Sequence, residues 1–288
     1  MMRVTGVDLK EMKSRGELIP VLTAYDTPTA RILDDAGIPI LLVGDSLGMV
    51  VLGYENTTRV TMEEMLHHTK AVVRGSRNAM VVADMPFLST TVSVEQSIEN
   101  AGRFIRDAGA QAVKVEGGER VVETVRRIIE AGIPVMGHLG LAPQQVLNLG
   151  GYKVQGRSGD AAEQVVREAL MLERAGVFAV ILECIPAPLA KLITKSLAVP
   201  TIGIGAGPDC DGQVQVIHDM LGLSDFFPKH VKLYARLGES IKQAANSYQE
   251  EVKAGRFPTE AHSFTMDDSV IRYVEARLAK DRQHKTGP

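Results

Sequence analysis

The stretch DDAGIPILLVGD, residues 34–45, decides the fold. It reads as a helix end, a glycine, a short apolar run and then an acid. Glycine takes the left-handed conformation that stops a helix, and an apolar run of this length suits a strand buried on both faces. An acid does not belong inside such a strand, so Asp45 marks the rim where the strand surfaces. The phrase recurs: RDAGAQAV ends near Val113, EAGIPVM near Met136 and RAGVFAV near Val180. One strand-and-helix unit is being iterated.

On either side of this stretch apolar runs stop near Thr23, Val43, Ala83, Val115, Gly137, Leu182 and Ile204, and QVQVI at 213–217 is a weaker eighth. The segments between them have helical periodicity and recognisable starts, such as Ser93 with Gln96 three residues on, a capping box. Strict alternation with about eight strands predicts the α/β class and a (β/α)8 TIM barrel, with a doubly wound open sheet as the other arrangement. After Leu223 the strands cease. Residues 231–255 read as one long amphipathic helix and 267–281 as a second; extra C-terminal helices of this kind cover a barrel end or pack on a partner subunit. The expected division is a barrel domain over 1–264 and a helical extension over 265–288, with a frayed tail from 281.

With 288 residues, 45% hydrophobic and 23% charged, the chain has material for a large core, and a barrel of this length needs no second domain. Its net charge of −3, without a basic cluster, argues against nucleic acid as the main partner. The first residues mix both charge signs and lack the apolar core of a signal peptide, and no run approaches a membrane span. Two cysteines, Cys184 and Cys210, make neither a disulfide framework nor a cysteine zinc site. A cytoplasmic enzyme is the expectation.

Four acids repeat one placement: Asp45, Asp84, Glu116 and Glu183 each follow or close an apolar run, in PILLVGD, AMVVAD, AVKVE and FAVILE. Ligand sites of barrels form at the carboxyl ends of the strands, so the four suggest one shared site. Crowded carboxylates repel, and either a cation lies among them or one keeps its proton. Asp45 and Asp84 end neighbouring strands, and oxygen-only ligands fit Mg²⁺ better than Zn²⁺; each acid taken alone also fits a helix cap. Lys114 and Glu116, two apart, share a face, which reads as an ion pair or as a cation awaiting an anionic substrate. Glu183, flanked by Leu182, Cys184 and Ile185, has the apolar setting of a general base, or is a carboxylate salt-bridged at the rim.

Other polar residues carry less. His138 ends the fifth run in VMGHLG, a place for a substrate contact or a structural role of second rank. His67 and His68 fall in a helix without an acid at zinc-motif spacing. The run Gly203 to Gly207 is either a phosphate cradle of backbone N–H groups or a tight turn; it does not match the dinucleotide fingerprint.

Taken together, LLVGDSLGMVVLG at 41–53, ADMPF at 83–87, KVEGG at 114–118, GHLGLAPQ at 137–144, GGYKVQGR at 150–157, and ECIPAPLAK and PTIGIGAGPDCDGQV within 183–214 resemble the ketopantoate hydroxymethyltransferase family. The resemblance runs over roughly residues 3–264. It implies Mg²⁺ on Asp45, Asp84 and Glu116, a keto acid held by Asp45, Ser46, Asp84 and Lys114, and Glu183 as proton acceptor. It also implies 3-methyl-2-oxobutanoate and 5,10-methylenetetrahydrofolate as substrates, pantothenate synthesis as the pathway, and a homo-oligomer, a decamer. Two stretches depart from the family's usual pattern: Leu88-Ser89-Thr90-Thr91, where a Ser-Tyr pair is common, and Gly53 to Asn56. Neither touches the acids, so the departures bear on loop packing or folate contacts.

Two other readings compete. The isocitrate lyase and phosphoenolpyruvate mutase group also sets acids and Mg²⁺ on a barrel rim, but this chain lacks a cysteine-bearing lid and carries GHLG in that region. A non-enzymatic ligand-binding barrel would have no use for a base at Glu183.

Overall fold

In the computed structural model, which describes residues 3–149, 151–224 and 227–284, eight short strands close on themselves. They are β1 (Ile19–Thr23), β2 (Ile40–Val43), β3 (Met80–Asp84), β4 (Ala112–Glu116), β5 (Val135–Gly140), β6 (Ala179–Glu183), β7 (Thr201–Ile204) and β8 (Gly212–Gln215). All neighbours are parallel, and β8 pairs back to β1 with Val21 opposite Val214, which excludes the open sheet. The weak eighth run is a true strand, one residue earlier than its apolar pattern begins.

The period-2 pleat sorts side chains into two cores. Ile19, Val21, Ile40, Leu42, Met80, Val82, Ala112, Met136, Ala179, Ile181, Ile202 and Val214 fill the barrel interior, with Leu9 of the helix Gly6–Ser14 packed into the same cluster. Leu41, Val43, Val81, Val113, Val115 and Val180 alternate with them and pack instead with residues of the surrounding helices, such as Phe104, Ile128 and Leu172. Because Asp84, Lys114 and Glu116, His138 and Glu183 follow the interior residues of their own strands by two or four positions, their side chains face inward at the carboxyl end.

Local signals stop and start the helices. Gly176 after the helix Gly159–Ala175 has φ 100°, the left-handed cap its sequence announced. Ser93 caps the helix Val94–Arg106 by accepting from Gln96 N–H, but the reciprocal bond from Ser93 N–H to the Gln96 side chain is not made, so the box is half formed. The tight-turn reading of the glycine run also holds: Gly207 has φ 83°, and a Cβ there would stand 2.3 Å from that of Ala187.

The chain forms two compact units, residues 1–236 and 237–288, parting upstream of the boundary expected after 264. The long C-terminal helix spans Leu237–Lys253 rather than beginning at 231, because residues before it are tied to the barrel unit: Tyr234 N–H donates to Met220 O at 2.9 Å, and Gly222 packs against Ala235. The second helix runs Asp268–His284, so residues 281–284 of the expected tail are helical and 285–288 lie outside the described residues. Among the described residues no helix is long and apolar enough to cross a membrane.

Candidate active site

The strand ends bring Asp84, Lys114, Glu116, His138 and Glu183 together, and a loop adds Asp45. Asp45 lies two residues past β2 and does not arrive by the pleat; its backbone N–H donates to Asp84 Oδ2 at 3.0 Å, which folds the turn over the rim. Lys114 Nζ sits 3.0 Å from Asp84 Oδ2 and 3.8 Å from Glu116 Oε1. All three acids and the lysine are buried.

Charge decides the protonation of this cluster. Burial works against the Lys114 ammonium, but Asp84, Glu116 and Asp45 outweigh it and push its pKa up, so it stays charged. Burial, then the charges of Glu116 and Asp84, hold Asp45 well above the usual carboxylate range. Burial also raises Asp84 despite Lys114 and the Asp45 N–H. Glu116 goes the other way: burial is overcome by its contacts with His138, Lys114 and Gln144 N–H. Three carboxyl groups against one lysine are a surplus of acid, which is why Asp45 and Asp84 hold their protons more tightly than free carboxyls do.

That surplus has the marks of a cation site. Asp84 Oδ1 is a buried oxygen without a hydrogen-bond partner, Glu116 Oε1 has only the longer ion-pair contacts with His138 (3.3 Å) and Lys114 (3.8 Å), and hard oxygen donors suit Mg²⁺. Among the described residues, however, no three His, Cys, Asp or Glu side chains converge as a ready-made ligand set. Lys114 stands between acids instead.

His138 joins the two halves of the site. Its Nδ1 lies 3.3 Å from Glu116 Oε1 and 3.3 Å from Lys114 Nζ, and its Nε2 lies 3.1 Å from Glu183 Oε2. Burial and Lys114 disfavour the imidazolium, yet Glu116 and Glu183 outweigh them and raise its pKa to about 9. The ring therefore favours its charged form and meets Glu183 from the neighbouring strand, β5. Glu183 is the more open acid, with a side chain 17% exposed against 2% for Asp84. Its surroundings are less apolar than its sequence neighbours suggested, because those neighbours point elsewhere and His138 faces it.

Clamps from both sides fix the backbone of Glu183. Leu141 N–H donates to Glu183 O at 2.8 Å, and Cys184 N–H donates to Ile204 O at 2.8 Å. Cys184 itself has φ 47°, a conformation rare for a residue with a Cβ, at the point where the chain leaves β6. The backbone on both sides of the Glu183 carboxylate is thus held in place.

Two residues escaped the reading of strand-end acids. Tyr25, buried two residues past β1, puts its hydroxyl 2.9 Å from Ser46 Oγ. Gln144 donates from Nε2 to Asp45 Oδ2 and Met85 O, both at 2.9 Å, and from its backbone N–H to Glu116 Oε2 at 3.2 Å, so one loop residue ties two acids together. Tyr25 was within reach of a rule that inspected every strand end for any polar side chain. Gln144, inside GHLGLAPQ, has no periodic signal. His68 serves the same region from outside, its Nδ1 2.7 Å from Tyr25 O, while His67 is exposed.

Comparison with known proteins separates fold from family. The barrel is similar to phosphonopyruvate hydrolase (TM-score 0.59, 12% identity, 96% of each chain covered) and to 2,3-dimethylmalate lyase, a member of the PEP mutase/isocitrate lyase superfamily (0.57, 16%, 98% of each). At such identities only the fold is shared. Sequence is far more telling. The 3-methyl-2-oxobutanoate hydroxymethyltransferase of Acetivibrio thermocellus is 59% identical over 93% of this chain and 95% of its own length. That of Dehalococcoides mccartyi is 56% identical over 98% and 100%. The family model for ketopantoate hydroxymethyltransferase matches residues 3–260. The chain belongs to the ketopantoate hydroxymethyltransferase family of enzymes.

Proposed function

We propose that this enzyme transfers a hydroxymethyl group from 5,10-methylenetetrahydrofolate to 3-methyl-2-oxobutanoate, giving 2-dehydropantoate for pantothenate synthesis. One observation carries the reading: a carboxylate, Glu183, held 3.1 Å from an imidazole whose other nitrogen lies 3.3 Å from Glu116 in the buried acid cluster. That sets an acceptor for a proton one imidazole away from a place for the charge that its removal creates.

Asp45, Asp84 and Glu116 would hold Mg²⁺, and the bound ion would supply Lewis-acid polarisation of the ketone beside the reacting carbon. Lys114 offsets the keto acid carboxylate among the acids, and the Ser46 hydroxyl, oriented by Tyr25, hydrogen-bonds the substrate. Glu183 accepts the C3 proton, and His138 stabilises that carboxylate while it waits. The carbon left electron-rich attacks the folate methylene as one of its C–N bonds opens, and water then displaces the remaining folate nitrogen, which takes up a proton, so that tetrahydrofolate leaves and the hydroxymethyl group remains.

A cytoplasmic homo-oligomer goes with this reading, the decamer of the resemblance. Ile241, Tyr248 and Val252 of the C-terminal unit are exposed apolar residues such as an interface covers. The deciding assay combines keto acid, methylenetetrahydrofolate and Mg²⁺ and omits each in turn. Turnover should need all three, and EDTA should abolish it until Mg²⁺ is returned. Folate-independent cleavage of isocitrate-like acids would instead support a lyase.

A further inference from the structure

Beside the acid cluster lies a cavity of about 950 Å³ whose wall includes Glu116, His138 and Gln144. A five-carbon keto acid fills a small part of it, whereas pockets of ~300–1,000 Å³ enclose ligands of drug size. The rest of the wall comes from the segments after β3, β4 and β5 and from the helix Gly159–Ala175. Two parts of it differ in chemistry.

One part is apolar. Phe87 and Leu88 are both exposed, and Leu88 has φ 66°, a left-handed conformation that a leucine rarely adopts. The turn is locked nonetheless: Ser89 donates to Pro86 O from both its N–H (3.0 Å) and its hydroxyl (2.6 Å), and Asn100 Nδ2 donates to Ser89 O at 3.0 Å. Strain spent on showing an apolar side chain to water is a mark of ligand clamps.

The other part is polar. Gln164 and Glu168 stand one helical turn apart, and Gln164 Nε2 donates to Glu168 Oε1 at 2.9 Å, with Glu119 N–H on the same oxygen at 3.3 Å. The Gln164 amide oxygen accepts from Arg167, which fixes the amide's orientation and leaves its second N–H to donate. Glu168 Oε2 has no donor among the described residues. Gly118 makes the packing possible, since a Cβ there would stand 2.0 Å from the Glu168 carboxyl carbon.

We infer that this cavity is the subsite for the pterin ring of the folate co-substrate, with Glu168 and Gln164 reading its hydrogen-bonding edge and Phe87 and Leu88 covering its face. The inference rests on the folate reading above. The amino group and adjacent ring N–H of a pterin form a side-by-side donor pair that a carboxylate matches as it matches a guanidinium, and the neighbouring carbonyl accepts from an amide. A flat bicycle also needs apolar cover. Because Glu116 and His138 share the wall, the one-carbon end reaches the keto acid. Thr90 and Thr91, where the chain departs from the family's common pattern, line the same cavity, so the departure falls at the co-substrate and not at the acids.

The test uses the full-length enzyme with two variants, Glu168→Gln, which keeps shape and loses the charge, and Thr91→Trp, which adds bulk at an exposed wall position. Each should raise the methylenetetrahydrofolate concentration at half-saturation about tenfold or more. Exchange of the keto acid C3 proton with solvent, which needs no folate, reports that barrel and acid cluster are intact. If both variants keep half-saturation within about twofold of the wild type while turnover remains folate-dependent, the pterin binds elsewhere and the inference falls. A wild-type enzyme that shows no folate-dependent turnover overturns the reading on which it rests, which is a different failure.

Discussion

Asp34, on the helix Thr27–Asp35 and bound to the residues that lead into β3, and Asp84, which closes β3, are almost equally buried, at 6% and 2% exposure, yet chemistry treats them in opposite ways. Asp34 receives the N–H groups of Arg77, Asn78 and Ala79 at 3.0, 3.0 and 2.7 Å and the Asn78 side-chain amide at 3.1 Å, just before β3 begins. Burial raises its pKa, but those donors overcome it and the net shift is downward. Asp84, where β3 ends, has one oxygen on Lys114 and the Asp45 N–H and another with no partner, and its pKa is raised. A saturated buried acid holds the fold together, while an unsaturated one is kept for something that arrives later.

The sharpest test of that distinction lies at the rim acid beside His138. Glu183→Gln should lower turnover about a thousandfold and abolish C3 proton exchange, since removal of a general base costs roughly 10²- to 10⁴-fold. Keto acid binding, followed by calorimetry, should change little. The melting temperature should hold as well, because the Gln amide oxygen still meets His138 Nε2. Undiminished exchange would remove Glu183 from its role.

Next in size is the exchange of roles between the two ends of β3. Asp34→Asn should cost about 2–3 kcal/mol of stability by chemical denaturation, since an amide cannot accept from every donor that the carboxylate serves. Its activity per folded molecule should stay. Asp84→Asn should change stability by less than about 1 kcal/mol, because Asp45 and Glu116 still compensate Lys114, while activity drops about a hundredfold. A destabilised Asp84→Asn variant with full activity would invert the comparison.

The same pair predicts opposite responses to pH in the metal-free protein. The lowered pKa of Asp34 means that its stabilisation is present above about pH 4, the unfolded value, and fades as pH falls through the folded one. The gap between wild type and Asp34→Asn should therefore close in acid. Asp84, with a raised pKa, destabilises progressively as pH climbs above about 4, so Asp84→Asn should gain on the wild type toward neutrality. Denaturation curves at several pH values in chelator measure both slopes.

Much of this is legible in the sequence. The barrel followed from four repeats of one phrase, the rim placement of Asp84, Glu116 and Glu183 from the apolar runs that stop at them, and the shared face of Lys114 and Glu116 from their spacing. What stayed hidden was contact between distant segments. His138 ranked second because its partners, Glu116 and Glu183, come from the strands on either side, and a lone histidine in a sequence shows neither. Asp45 was legible as a residue but not in its route, since a turn rather than the pleat delivers it. The helix expected from 231 began at 237 because a backbone bond to Met220, invisible to periodicity, held the residues before it.

The smallest effect tests whether a satisfied group can still belong to function. Tyr25 is as buried as Asp84, and burial keeps its phenol protonated, so its hydroxyl can donate to Ser46 Oγ at 2.9 Å throughout the working pH range. If that bond merely fills space, Tyr25→Phe should cost about 1 kcal/mol of stability and nothing else. If it aims the Ser46 hydroxyl at the keto acid, half-saturation for the keto acid should rise roughly three- to tenfold while the maximal rate stays close to wild type. Ser46→Ala should show the same rise, and the double variant should add little to it, since both changes remove one interaction. Strictly additive losses would separate the two residues and leave Tyr25 on the side of Asp34, as a part of the fold alone.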